Sequence, residues 1–321
     1  MAKSKILIVA EKWADCDPRQ GKSAAQHNFV DSLAATGLAE YSTFFFDEMA
    51  VNGHPDIDAA LMTACQAYEP DLIFLKMVRG ADLNPTAAGL AKIGQKFETK
   101  ISSLYGDTFD EDAIQWIERY TPVVDFNIMQ DCYSVYHQYA KDVSKYMDAW
   151  TPQDPATFFN NDGLRPIDVS FVGSVARYPD RKIGIGMLAY QDFNVVQRGG
   201  GAEADLAIDE YAQLLRQSKM TLNFSRPVFD EPSFQCKGRT IEATLCGAML
   251  LEQTNLETRK WLEPGVDYVE FDNERDLSEK AAYYLAHEDE RQIIATTGCR
   301  KATEMYSATA YWSMIIERML G

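Results

Sequence analysis

The chain has 321 residues, a length that predicts two domains rather than a single core. With 46% apolar, 25% charged and 12% aromatic residues, the composition is that of an ordinary globular protein and excludes the disordered and collagen-like classes. The formal charge of −17 repels phosphate backbones and anionic lipid head groups, which disfavours nucleic acid or a membrane surface as a bulk partner.

Cysteine usage and hydropathy indicate a protein of the reducing cytoplasm. The six cysteines are scattered without a C-x-x-C pair, so neither a disulfide framework nor a structural metal site is expected. The first apolar run, Ile6–Ala10, is much shorter than the core of a signal peptide. No stretch approaches the roughly 20 apolar residues of a membrane-spanning helix. We therefore expect a cytoplasmic chain with no membrane span.

Short apolar runs alternate with helical patterns along nearly the whole chain, which predicts an α/β fold with parallel strands. The strands predicted in the first half are Lys5–Ala10, Tyr41–Phe46, Asp71–Leu75, Lys100–Leu104 and Val123–Ile128. Because the carboxyl ends of parallel strands meet at one edge of a sheet, the loops that follow should share one rim. These loops are Glu11–Ser23, Lys76–Asp82, Tyr105–Asp112 and Met129–Ser134.

A proline-rich segment, Thr151–Pro166, interrupts this rhythm and suits an interdomain linker. A second series of strands and helices follows it. The strands predicted there are Ile167–Val172, Phe193–Gln197, Met220–Phe224, Ala248–Glu252 and Tyr268–Phe271. The simplest architecture is two doubly wound, Rossmann-like parallel-sheet domains facing a central cleft.

Two further segments have patterns typical of helices. Residues 263–290 contain ten acids against two bases, which predicts a solvated helix face. In the last segment, apolar positions recur at helical spacing and predict a helix that packs on a core or across the domains. The predicted stripe consists of Met305, Thr309, Trp312, Ile316 and Met319.

Three short motifs invite a phosphate or metal interpretation. Gly21-Lys22-Ser23 opens a helix after a strand, but Cys16 stands where a phosphate-binding loop needs its first glycine. Asp15-Cys16-Asp17 and Asp110-Glu111-Asp112 match the D-x-D pattern that holds a metal in some sugar transferases. Such triplets are common by chance in an acidic chain, and the second one suits the first turn of a helix. We expect no metal.

The most informative stretch runs from Ser218 to Glu252. Lys237 and Arg239 flank Gly238 just before a helix predicted to begin near Thr240, so cations and a helix amino terminus converge where an anion is stabilised. Glu242, predicted in the first turn, is able to accept hydrogen bonds from two vicinal hydroxyls. The alternative is that Glu242 complements the helix dipole and the two cations pair with surface acids.

This stretch resembles the carboxyl-terminal domain of GT-B glycosyltransferases, and in particular the group-1, CgeB-like (spore maturation protein) family. The resemblance lies in KGRTIEATLCGAMLLEQ (237–253), in residues 261–302 and, more loosely, in DVSFVGS (168–174). It implies an acceptor domain over 1–155, a nucleotide-sugar donor domain over 156–304, and a terminal helix, 305–321, that packs back on the acceptor domain. It also implies a hexosyl- or pentosyltransferase with a metal-independent mechanism and a nucleoside-diphosphate sugar, by default a UDP-sugar, as donor.

The resemblance also assigns roles to individual residues. Glu242 matches the glutamate that binds the donor ribose, and the basic segment before it matches the positions near the diphosphate. The donor residues implied are Lys237, Gly238, Arg239 and Glu242, the loop residues Gly173 and Ser174, and Arg177 or Arg181. Many retaining relatives have a second glutamate eight positions before the ribose-binding one, where this chain has Phe234. Retention of configuration is therefore not assumed.

An inverting reaction would need a general base on the amino-terminal rim. The candidates, in order, are Asp107, Asp131 and His27. The alternative for the two aspartates is a helix cap, and for the histidine a packing role. A glycan, protein or small molecule is favoured as acceptor. Two other functions stay open: a catalytically inactive sugar-nucleotide-binding or assembly protein, and a transferase acting on a modified nucleic-acid base.

Overall fold

The structure is a computed structural model that describes residues 3–54, 56–176, 178–199, 206–227 and 233–321. The chain divides into two compact units. The first unit comprises the residues up to Asp154 together with Ala308–Gly321, and the second unit comprises Pro155–Ser307. None of the helices in these described ranges is long and apolar enough to cross a membrane.

The first unit is built on a six-stranded parallel sheet of order β2-β1-β3-β4-β5-β6. Its strands are β1 (Lys5–Ala10), β2 (Glu40–Phe45), β3 (Leu72–Lys76), β4 (Lys100–Tyr105), β5 (Phe126–Met129) and β6 (Tyr146–Asp148). Its helices before the linker are α1 (Ser32–Thr36), α2 (Phe46–Val51), α3 (Ile57–Tyr68), α4 (Ala87–Phe97), α5 (Glu111–Ile117) and α6 (Tyr136–Tyr139). The strands β1 and β3 are apolar throughout their middle because helices cover both faces of such a sheet.

The second unit is built on a five-stranded parallel sheet of order β11-β10-β9-β7-β8. Its strands are β7 (Ile167–Val172), β8 (Val195–Arg198), β9 (Ser218–Asn223), β10 (Met249–Gln253) and β11 (Val269–Phe271). Its helices are α7 (Pro179–Tyr190), α8 (Ile208–Arg216), α9 (Gly238–Leu245), α10 (Glu274–Ala286) and α11 (Glu288–Met305). In its core the Phe224 ring packs edge-on against Phe171 and Phe271, with centroids 5.4 and 5.5 Å apart.

All ten strands expected from the sequence are confirmed, with ends displaced by at most a few residues. The short strand β6 is an addition, because three residues give no periodic pattern to detect. It is held in place by Tyr146, whose ring stacks on Tyr136 with centroids 4.9 Å apart. Two Rossmann-like parallel-sheet α/β domains are therefore the observed architecture.

The last helix, α12 (Ala308–Leu320), belongs to the first unit. The Trp312 ring lies 4.9 Å from Phe74 of β3, and its indole nitrogen donates to the Ser32 hydroxyl at 2.9 Å. The predicted stripe was wrong in part, since Met305 and Thr309 are exposed and the buried positions include Tyr311 and Ile315. Helix α11 ends at Met305 and a new helix begins at Ala308, so a single helical phase does not run through the segment.

The prediction that the acidic segment 263–290 forms a solvated helix face was also wrong in part. Asp267 is only 3% exposed. Its carboxylate accepts hydrogen bonds from the Lys301 ammonium at 2.6 Å and from the Glu263 amide at 2.8 Å. This acid therefore ties α11 to the turn before β11, while most of the other acids occupy the first turns of α10 and α11, where they favour the helix dipoles.

Each sheet has one point at which the strand order reverses. In the first sheet β1 lies between β2 and β3, and in the second sheet β7 lies between β8 and β9. At such a switch point the loops leave neighbouring strands in opposite directions and open a crevice at the carboxyl ends, where ligands of open α/β sheets bind.

Candidate functional site

Arg239 bridges the two strands of the second switch point. One of its terminal nitrogens donates to Asn223 Oδ1, at the end of β9, at 2.7 Å. The other donates to the carbonyl of Val172, the last residue of β7. The guanidinium also lies 5.2 Å from the centroid of the Phe171 ring. A cation is thus held at the crevice between the carboxyl ends of β7 and β9.

Gly173 follows β7 and lies directly against this guanidinium. Its φ of 155° is one that residues with side chains rarely adopt. A Cβ added there would lie 3.3 Å from an Arg239 nitrogen and 3.0 Å from the Phe171 ring. The absence of a side chain at Gly173 therefore lets the backbone of the loop pass close to the Arg239 guanidinium.

Lys237 and Gly238 form the start of α9 beside this point. Lys237 is the N-cap residue of the helix, and its ammonium donates to Gln235 Oε1. The helix begins at Gly238 rather than near Thr240. The first amide groups of α9 and two cationic side chains therefore share one end of the helix, as an anion site requires.

Glu242 lies one helical turn inside α9, not in its first turn as predicted. Because the effect of the helix dipole falls off within the first turn, dipole compensation is a weak explanation for this carboxylate. Its Oε2 accepts a hydrogen bond of 2.6 Å from the hydroxyl of Tyr211 on α8. Burial, together with the charge of Glu242, raises the pKa of Tyr211 well above its usual value, so the phenol stays a donor. The bond fixes the position of the carboxylate.

A buried polar network, which the sequence analysis did not single out, lies behind Arg239. Glu252, at the end of β10, is completely buried and accepts hydrogen bonds from Asn223 Nδ2 at 2.8 and 3.0 Å. It also accepts one from the Thr240 hydroxyl at 3.2 Å. Burial raises the pKa of Glu252 to about 7, against the opposing hydrogen bonds and the charge of Arg239. The only sign of this network in the sequence was a polar residue, Asn223 or Glu252, at the end of each of two apolar strands.

Arg181 and Ser174 are brought together by the loop after β7. The Arg181 guanidinium donates to the Ser174 carbonyl at 3.0 Å and to the Arg226 carbonyl at 3.1 Å, and it stacks 3.5 Å above the Tyr178 ring. The residue is 8% exposed, and burial lowers its pKa from the ordinary arginine value. Arg181 thus shapes the loop by holding two carbonyls. Arg177 lies outside the described residues.

In the first unit, Asp131 organises the loop after β4. Its two carboxylate oxygens accept hydrogen bonds from the Asp107 amide at 2.6 Å and from the Thr108 hydroxyl at 2.7 Å. Asp107 itself is exposed and has a left-handed backbone, with a φ of 56°. The helix-cap alternative was wrong for Asp107, because Asp110 caps α5 by accepting from the Ala113 amide at 2.7 Å. The predicted role of Asp110–Asp112 in the first turn of a helix is confirmed.

His27 lies in a π-helical segment, Gln26–Asp31, that leads into α1. Such segments interrupt the regular helical ladder and are frequent at functional sites. Burial lowers the pKa of the His27 imidazole, while the charges of Asp31 and Asp154 act in the opposite direction. The imidazole is therefore neutral at pH 7, which is the form that accepts a proton.

Glu11 and Lys76 form an ion pair across the first switch point. Both residues were predicted on the rim, but neither was given a role. Glu11 follows β1, and Lys76 ends β3. Glu11 is 3% exposed, and its Oε1 also accepts from the Ser23 hydroxyl at 2.5 Å. Its other oxygen is buried without a partner among the described residues. Within the described ranges, no group of three or more His, Cys, Asp or Glu side chains is arranged to hold a metal ion.

The fold defines the structural class of the protein. The architecture of two parallel-sheet domains is the GT-B fold of glycosyltransferases. Residues 163–317 match the model of a family described as glycosyl transferase-like. This match covers most of the second unit and most of the last helix, and it includes Gly173, Arg239 and Glu242. No curated protein matches the chain.

Particular solved structures share the fold over nearly the entire chain. HepE from Anabaena, in complex with UDP and glucose, has a TM-score of 0.66 at 13% identity, covering 98% of this chain and 99% of that chain. Sucrose-phosphate synthase from Thermosynechococcus elongatus has a TM-score of 0.67 at 12% identity, covering 98% of both chains. A glycosyltransferase from Rickettsia africae has a TM-score of 0.62 at 9% identity, covering 99% of this chain and 98% of that chain. At these identities the likeness establishes the fold.

Proposed function

We propose that the protein is a metal-independent glycosyltransferase that moves a hexosyl or pentosyl group from a nucleoside-diphosphate sugar to an acceptor hydroxyl. The observation that carries the proposal is the convergence of Arg239, the Gly173 loop and the amino end of α9 at one switch point. The family match over residues 163–317 supports it. The motif in 237–253 supports a place within the CgeB-like group.

The chemistry of the leaving group fits the charges at this point. When the bond between the anomeric carbon and the diphosphate breaks, negative charge grows on the departing phosphate. Lys237, Arg239 and the first amides of α9 provide positive charge that is in place before the reaction. Preorganised charge lowers the free energy of the transition state because little reorganisation accompanies bond breaking.

Glu242 is proposed to bind the ribose of the donor. A carboxylate accepts hydrogen bonds through two oxygens, which matches the two vicinal hydroxyls of a ribose. The hydroxyl of Tyr211, at 2.6 Å, holds this carboxylate in one orientation. UDP is the first nucleotide to examine, since HepE was solved with UDP-glucose and shares the fold.

His27 is proposed as the general base of an inverting transfer, ahead of Asp107 and Asp131. Its neutral imidazole takes the proton of the acceptor hydroxyl, the acceptor oxygen bonds to the anomeric carbon, and the bond to the diphosphate breaks, releasing the nucleoside diphosphate. The carboxylates of Asp31 and Asp154 stabilise the imidazolium that forms. Asp131 is less suited, because both of its oxygens already accept hydrogen bonds from the adjacent loop.

Titration calorimetry with UDP, GDP, ADP, CDP and TDP tests the proposal. We expect one of them to bind, and Glu242→Gln to weaken that binding about 10- to 100-fold, because hydrogen bonds to a charged group contribute about 1.5–3 kcal/mol. Glu279→Gln is the matched control, since Glu279 lies exposed on α10 and its partner among the described residues is Arg275. If none of the five nucleotides binds, the proposal is wrong.

A further inference from the structure

A cavity of about 470 Å³ lies on the first unit, between the loop after β3 and the end of α5. This volume falls within the range of about 300–1,000 Å³ that small-molecule sites occupy. The residues that matter to its chemistry are Arg79, Asp82, Trp116, Arg119 and Tyr120. None of them belongs to the donor-binding or base residues described above.

The loop wall of this cavity is rigidly built. Asn84 is buried and its side chain bonds both backbone groups of Val78, at 3.0 and 2.7 Å, and the Ala81 carbonyl at 2.8 Å. Arg79 pairs with the Asp110 carboxylate at 3.0 Å, which ties the loop to the start of α5. A wall held by side chains in this way is preorganised, so a ligand does not have to order it.

The opposite wall is aromatic. The Trp116 ring packs edge-on against the fully buried Tyr105, with centroids 5.4 Å apart, and against Tyr120, with centroids 5.9 Å apart. Trp116 and Tyr120 are each half-buried, so part of each ring remains open to the cavity that they line. Such rings offer a large apolar surface whose position costs little conformational entropy.

Two charged side chains in the cavity have unused hydrogen-bonding capacity. Arg119 and Asp82 are exposed. Among the residues that the structure describes, neither side chain makes a hydrogen bond or an ion pair. The guanidinium offers up to five donors and the carboxylate offers acceptors, so the cavity presents both halves of hydroxyl recognition beside an aromatic surface.

We propose that this cavity binds a saccharide and is an acceptor subsite of the first unit. A pyranose has an apolar face of C–H groups, which suits Trp116 and Tyr120, and a rim of hydroxyls, which suits Asp82 and Arg119. Its loop leaves β3, one of the two strands of the first switch point, so the cavity begins at the rim where an acceptor is expected. The role of this cavity as an acceptor subsite rests on the proposed function, whereas its binding of a saccharide does not.

Saturation-transfer NMR with the full chain tests the proposal, using maltotriose, cellotriose, chitotriose, xylotriose and mannotriose at millimolar concentration, with uridine as an aromatic nucleoside probe. We expect at least one trisaccharide to bind. Trp116→Ala should weaken that binding at least about tenfold, and Arg119→Met and Asp82→Asn should weaken it several-fold. The last two are surface substitutions that leave the core intact, so they test saccharide binding in the cavity if the tryptophan variant does not fold.

Arg300→Met and Asp289→Asn, on α11 of the second unit, are matched charge controls and should leave the affinity unchanged. The proposal is overturned if no trisaccharide binds, if the pocket variants bind as the wild type does, or if those variants lose uridine binding instead. Calorimetry with UDP is run on the same samples. UDP binding without saccharide binding refutes only the proposed saccharide site. Saccharide binding without UDP binding refutes the transferase proposal and leaves the saccharide site in place.

Discussion

Glu252 should make the stability of the second unit depend on pH in an unusual direction. The residue is completely buried at the end of β10, and burial raises the pKa of its carboxyl from 4.5 to about 7. The folded protein therefore holds a proton over a pH range in which the unfolded chain has released it. Replacing it by glutamine keeps the shape and removes the titration.

The magnitude follows from the difference between the two pKa values. Between pH 4.5 and about 7 the folded state binds more protons than the unfolded state, so the free energy of unfolding falls as the pH rises. At 1.36 kcal/mol for each pKa unit, the raised pKa corresponds to about 3 kcal/mol across this window. In Glu252→Gln this contribution should vanish, so the variant becomes more stable relative to the wild type as the pH increases from 5 to 8.

Hydrogen exchange of the β9 and β10 amides, measured between pH 5 and 8 for both proteins, reports the local free energy of unfolding. Glu270→Gln provides a control whose difference from the wild type should stay constant between pH 5 and 8. Glu270 pairs in register with Glu252 on the neighbouring strand β11. Burial there opposes ionisation, but hydrogen bonds from Arg259 and Tyr268 prevail and lower the pKa of Glu270. The contribution of ionised Glu270 to the free energy of unfolding is present above pH 4.5 and is lost as the pH falls below that value.

The difference in unfolding free energy between wild type and Glu252→Gln is the quantity to examine, because contributions from all other groups cancel in it. A difference that stays constant from pH 5 to 8 would show that the pKa of Glu252 is not raised, which would mean that hydrogen bonds from Asn223 and Thr240 offset or outweigh burial. That result would refute the reasoning.

Three further predictions concern the two switch points and the last helix. Because burial lowers the pKa of His27, the acid limb of kcat measured against pH should have its midpoint below pH 6.5; a midpoint above pH 6.5 would exclude His27 as the base. Gly173→Ala should destabilise the second unit by about 1–3 kcal/mol and weaken nucleotide binding, since its Cβ would lie 3.0 Å from the Phe171 ring; calorimetry and thermal unfolding measure both effects, and unchanged values would contradict the contact. Trp312→Ala should cost about 3–5 kcal/mol in urea unfolding, because a fully buried ring and its bond to Ser32 are lost; a loss below about 1 kcal/mol would contradict its core position.

The sequence by itself determined the α/β class and the location of nearly every strand. Strands such as β1 and β10 are buried on both faces, so they appear as short apolar runs between helical patterns, whatever their neighbours are. The ordered motif from Lys237 to Gln253 likewise indicated the resemblance to glycosyltransferases that the family match over residues 163–317 shares. Both signals are local in the chain, and local patterns survive in a sequence read alone.

Tertiary structure decided the contacts that join distant segments. Arg239 meets the end of β7, 67 residues earlier in the chain, and Glu252 meets Asn223 across neighbouring strands, 29 residues apart. The buried face of α12 also depended on packing, because the helix starts anew at Ala308 and presents Tyr311 and Ile315 to the core of the first unit. Burial and strand order create these environments, including the raised pKa of Glu252, and neither quantity is encoded in the spacing of residues along the chain.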